Sequence, residues 1–84
     1  MSRVLVVLRV MPENVNVDVK LLKKEILSKM SAEIQEVPIA FGLIALNVVT
    51  IIDDKEGEVE KIEKILREIK GVREVDVVEV SRTL

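Results

Sequence analysis

The chain has no cysteine, histidine, tryptophan or tyrosine, and only one phenylalanine. Without cysteine there are no disulfides, no thiolate metal sites and no thiol nucleophile. Without histidine, imidazole acid–base chemistry is excluded as well. The cysteine-free composition fits a reducing, cytoplasmic compartment. The three glycines stand apart at Gly42, Gly57 and Gly71, so no glycine-rich loop exists to cradle a phosphate. A lone aromatic, Phe41, cannot form the base-stacking platform of an RNA-recognition sheet. Charge of neither sign dominates: 13 basic residues face 15 acidic ones, for a formal net charge of −2. A nucleic-acid binder is expected to carry a basic excess or stripe, so no direct nucleic-acid contact is expected. The apolar run near the start, Val4 to Leu8, covers five residues. That is too short for a signal-peptide core or a membrane span.

What remains is an 84-residue chain that is 49% hydrophobic and 33% charged. One domain of this size buries roughly 60–65% of its unfolded surface, enough for a thin core. The abundance of Lys, Glu, Ile and Val with little Gln hints at a thermophilic source.

Hydrophobic periodicity divides the chain into six elements. Val4 to Val10 reads as an interior strand, with Val4, Val6, Leu8 and Val10 on one face and Arg3, Leu5, Val7 and Arg9 on the other. Met11 to Asn14 reads as a loop, with Asn16 or Asp18 as the cap of a helix. Val19, Leu22, Ile26 and Met30 then share one helical stripe, with Lys20, Lys23 and Lys24 off it toward water. Glu33 to Ile39 is a weaker strand. Pro38 cannot donate to a ladder, which assigns this strand to a sheet edge. Leu43 to Ile52 is nearly all apolar and reads as central, interrupted by Asn47 and Thr50. Asp53 to Gly57 forms a turn whose carboxylates suit the positive end of a helix dipole. Val59, Ile62, Leu66 and Ile69 give the second helical stripe, and Gly71 a stop after it. Val72 to Val80 is the last strand, with Glu74, Asp76 and Glu79 discouraging edge-to-edge pairing. Ser81 to Leu84 reads as a short tail.

The order β-α-β-β-α-β predicts an α+β, ferredoxin-like sandwich: a four-stranded antiparallel sheet with two helices on one face. The first and third strands lie centrally, and one sheet face stays open. Little in the sequence points to bond chemistry or to a cofactor. The Asp53-Asp54-Lys55-Glu56 cluster lacks the spacing of a calcium loop. Met11-Pro12-Glu13-Asn14 is not the glycine-rich anion loop that an acylphosphatase-like enzyme places after its first strand.

Phe41 is the residue that stands out. Composition alone assigns a lone phenylalanine to the core. Its setting, between Ala40 and Gly42 at the join of two strands, also allows the ring to point outward. An exposed ring there is a candidate binding anchor.

The chain as a whole resembles the archaeal-type translation elongation factor 1-beta family. The resemblance is carried by Val10-Met11-Pro12-Glu13, by Asp18, Leu22-Lys23-Lys24 and Ile26, and most specifically by Pro38-Ile39-Ala40-Phe41-Gly42-Leu43. Ala45-Leu46, the Asp53-to-Gly57 turn and Gly71-Val72 follow in order. It implies that residues 1–84 are a single guanine-nucleotide exchange domain acting on the GTPase elongation factor 1-alpha. It implies that Phe41, flanked by Ala40 and Gly42, enters an apolar pocket on the partner. It further implies that the C-terminus reaches the partner's nucleotide site, where the similar eukaryotic exchange domain carries a penultimate lysine. Here that position is Thr83, and Arg82 is the nearest cation, so Arg82, Thr83 and Leu84 are the candidate tail residues. The expected state is a monomer free of cofactor, with no membrane contact. The competing reading from fold class is a small regulatory domain that dimerises around a ligand.

Overall fold

The structure, a computed structural model, describes residues 2–83. Four strands form one antiparallel sheet: β1 (Arg3–Pro12), β2 (Glu33–Pro38), β3 (Ile44–Asp53) and β4 (Val72–Thr83). Their spatial order is β2-β3-β1-β4, so β1 and β3 are central and β2 and β4 are edges. Helices α1 (Val19–Lys29) and α2 (Glu58–Arg67) cover the same sheet face. This is the ferredoxin-like arrangement expected from element order.

The alternation of β1 decides which face is core. Val4, Val6, Leu8 and Val10 are buried, and they pack with Leu46 and Val48 of β3 and Val75 of β4. The helices close this layer with Leu22 and Ile26 from α1, and Ile62 and Leu66 from α2, joined by Ile69 just beyond α2. Asp18 caps α1, its Oδ1 accepting the N–H groups of Lys20 (3.0 Å) and Leu21 (3.3 Å).

The two polar interruptions of β3 have separate explanations. Thr50 faces the core side and is buried, and its Oγ1 donates to the Ser31 carbonyl at 2.8 Å, tying β3 to the turn after α1. Asn47 faces the open side, where its Oδ1 accepts from Arg9 Nε at 3.3 Å. The rest of that open face is partly apolar: Leu5, Val7 and Val49 are half-buried, and Ile51 is exposed.

Five local expectations are corrected. β1 does not give way to a loop at Met11; Met11 and Pro12 continue the strand opposite Glu74 and Val72 of β4. β4 does not stop at Val80; Ser81, Arg82 and Thr83 pair with Leu5, Val4 and Arg3. The backbone ladder continues as far as β1 offers partners, whatever the side chains, and polar residues hide that from periodicity. The Asp53–Asp54 carboxylates do not cap α2. Asp53 ends β3, the cap position is Gly57 at φ 86°, and Glu58 and Glu60 supply the first-turn charge. Gly71 (φ 95°) shapes the turn before β4, four residues past the end of α2. Lys23 is half-buried and pairs with Glu36 at 3.1 Å, because that flank of α1 lies over the β2 edge.

Candidate functional site: a projecting phenylalanine and the far end of the sheet

Pro38 ends β2 and β3 begins at Ile44, so residues 39–43 must carry the chain between neighbouring antiparallel strands. They do so with a single 3₁₀ turn, Ala40–Gly42. Ile39 N–H donates to the Leu43 carbonyl at 2.9 Å, and Leu43 N–H to that of Ala40 at 3.4 Å. Both Phe41 (φ 62°, ψ 31°) and Gly42 (φ 76°) are left-handed. For glycine this is inexpensive; for a bulky side chain it costs about 1–2 kcal/mol. Phe41 is the only non-glycine residue with positive φ among the described residues.

The strained backbone aims the ring away from the protein. Phe41 is 94% exposed, so the only aromatic side chain makes almost no use of the core. The composition-based assignment of Phe41 to the core is therefore overturned. Tertiary structure sets the ring's direction through two consecutive left-handed residues, and composition carries no trace of that. Ala40 and Gly42 are exposed beside it. At Gly42 space does not forbid a side chain: an added Cβ would meet Val15 Cγ1 at an ordinary 3.8 Å. The positive φ is what calls for glycine there.

Arg82 lies at the other end of the sheet. It is opposite Val4, which is opposite Ile52, near the end of β3. Ile52 lies eight residue steps along β3 from Ile44, so the two candidate contact points are roughly 30 Å apart at the usual rise per residue. The longest dimension of the molecule is 41 Å. The structure thus brings Ala40, Phe41 and Gly42 together and holds Arg82 and Thr83 far from them. Arg82 is largely exposed, and its Nη1 pairs with Asp54 Oδ2 in the turn after β3. That turn is fastened in its own right, with Asp54 N–H donating to the Ser2 carbonyl at 3.0 Å. Thr83 closes the backbone ladder opposite Arg3, and Leu84 lies outside the described residues.

Two residues near these points escaped the sequence reading. Asp54 partners Arg82 across 28 positions of sequence. Val15 sits beside Gly42 from a different loop. Neither has a local signal, because each relation exists only once β1 is paired with its neighbours. Among the described residues, no group of three or more acidic side chains is placed to hold a metal ion, and no helix is long and apolar enough to cross a membrane.

Comparison with known proteins places this chain in a family. Residues 5–83 match the EF-1 guanine nucleotide exchange domain. The chain is 42% identical to elongation factor 1-beta of Methanothermobacter thermautotrophicus, over the full length of both proteins. It is 44% identical to elongation factor 1-beta of Aeropyrum pernix, over 98% of each chain, and 41% identical to that of Methanosphaera stadtmanae, again over the full length of both. With the domain match over residues 5–83 and the full-length similarity in agreement, the chain belongs to the elongation factor 1 guanine-nucleotide exchange family.

Proposed function

We propose that this chain accelerates GDP release from elongation factor 1-alpha by gripping the GTPase at two separated points. Phe41 docks in an apolar pocket of the partner. The end of β4, with Arg82, Thr83 and Leu84, reaches the region that holds the magnesium ion and phosphates. The observation that carries the reading is the 94% exposed Phe41 on left-handed backbone. A folded protein that keeps its one aromatic ring in water, at a backbone cost, gains nothing from it alone. The ring offers a partner a large, stiff apolar contact at little entropic cost.

The remainder follows from linkage. An exchange factor binds best to the GTPase state that holds nucleotide poorly. Whatever factor by which it weakens GDP binding, GDP weakens the factor's binding equally. No bond is made or broken by the factor itself, so it is no enzyme of the acid–base or nucleophilic kind and needs no cofactor. Its work is positional, and the rigid sheet is the ruler that holds the two contacts apart. Arg82 is the group of this tail with permanent positive charge. Next to nucleotide phosphates it competes with magnesium for negative charge. In this reading the protein is a cytoplasmic monomer with no role for nucleic acid or a membrane surface.

The direct test is release of a fluorescent GDP analogue from purified elongation factor 1-alpha, with and without this protein. Release is expected to accelerate at micromolar concentrations of the factor. An unchanged rate across that range would overturn the proposal.

A further inference from the structure

The loop between β1 and α1 also reaches the Phe41 end of the molecule. It is held at three points. Glu13 N–H donates to the Gly71 carbonyl at 2.9 Å, Asn16 N–H to Asn14 Oδ1 at 2.9 Å, and Val17 N–H to the Asn14 carbonyl at 3.3 Å. The two bonds to Asn14 close a tight turn over residues 14–17, with Val15 at its apex. Val17, the next apolar residue, turns inward: it packs against the core and lies at Gly71. Val15 turns the other way. Its Cγ1 lies 3.8 Å from the position a Gly42 Cβ would take, one peptide unit from Phe41, yet 59% of the residue is exposed.

A scattered surface valine needs no explanation. Val15 and Phe41 are apolar side chains on two separate, constrained loops at one end of the sheet, both facing water, with Val15 next to Gly42, the residue that follows Phe41. Their fixed loops leave little ordering entropy to be lost on binding. We infer that Val15 is the second contact of the Phe41 docking surface: it packs on the rim of the partner pocket that takes the ring, and shields that ring from water. The occupant is the apolar surface of the GTPase around that pocket, so the inference rests on the function proposed above. Its contribution is smaller than that of Phe41, since a valine with part of its surface already covered has less area to bury.

The experiment measures the dissociation constant for elongation factor 1-alpha by titration calorimetry, with thermal midpoints recorded for every variant. Phe41→Ala is expected to weaken binding about 30-fold or more. Val15→Ser is expected to weaken it about five- to tenfold, and Val15→Ile to hold or tighten it, with thermal midpoints unchanged. The double variant F41A/V15S is expected to lose less than the product of the single losses, because removing the ring removes what Val15 shields. Leu27→Ala, an exposed leucine near the far end of α1, serves as the control and is expected to bind like the parent. Val15→Ser binding within twofold of the parent while Phe41→Ala binds poorly would overturn the role of Val15 and leave the anchor standing. Losses that multiply in the double variant would also overturn it. If Phe41→Ala binds normally, the anchor and the Val15 contact fall together.

Discussion

The two ends of this sheet are built on opposite principles. At the Phe41 end an apolar side chain is exposed on unfavourable backbone, and neighbouring loops are fixed around it. At the Arg82 end a charged side chain sits on regular extended backbone and is balanced by Asp54. Burying an exposed aromatic yields free energy in almost any apolar pocket, so the first end suits affinity. A screened surface charge yields little on its own, but its effect grows when it is brought next to a concentrated charge such as a phosphate and water is displaced. In the function proposed above, the second end acts at the nucleotide site. A protein that must grip a GTPase and also disturb its ligand gains from separating these tasks. The β-sheet keeps the two ends roughly 30 Å apart.

This contrast can be broken experimentally, most sharply at Phe41. Replacing Phe41 with Ala is expected to cost about 2–4 kcal/mol of partner binding, measured by calorimetry, while the thermal midpoint stays near that of the parent. Glycine at the same position should bind as poorly yet melt no lower, because it relieves a left-handed strain of about 1–2 kcal/mol against an entropic cost of about 0.5–1 kcal/mol. A large fall in stability for either variant would mean that the ring supports the fold.

The effect at the other end is smaller and different in kind. Arg82→Ala is expected to slow GDP release at saturating factor by about tenfold, equivalent to ~1.4 kcal/mol, with little change in the dissociation constant. If affinity falls and the saturated rate does not, the two ends do not divide the work as described. The smallest effect is expected for Asp54→Asn. An exposed ion pair of this kind contributes about 0.2–1 kcal/mol, so denaturant unfolding should shift by no more than that, and the difference should shrink in high salt.

Much of the fold is readable from residue order. The alternation of Val4, Val6, Leu8 and Val10 identifies the core face of β1, and the helical stripes identify what covers it. Pro38 at the end of β2 marks an edge strand, and β2 is an edge. These features are legible because they follow from local geometry: side chains alternate along a strand and recur every three to four residues along a helix. Where local pattern is silent, the sequence misleads. Ser81 to Thr83 carry no apolar rhythm, yet they are strand, because β1 runs alongside them. Lys23 looks solvated from its own helix, yet the neighbouring edge strand supplies Glu36.

The candidate site divides the same way. Phe41 could be singled out from sequence as an isolated aromatic before a glycine, and its motif Pro38-Ile39-Ala40-Phe41-Gly42-Leu43 carries the family resemblance. The sequence by itself determined the two-helix, four-strand order and the absence of thiol, imidazole and phosphate-loop chemistry. Only the tertiary structure decided that the ring faces water, that Val15 stands beside Gly42, and that Arg82 meets Asp54 at the far end. The reason is physical. Periodicity reports which face of an element is buried, whereas the direction of a side chain in a turn depends on positive φ at one or two residues. Contacts between distant loops depend on strand register, and both are settled only when the sheet has closed.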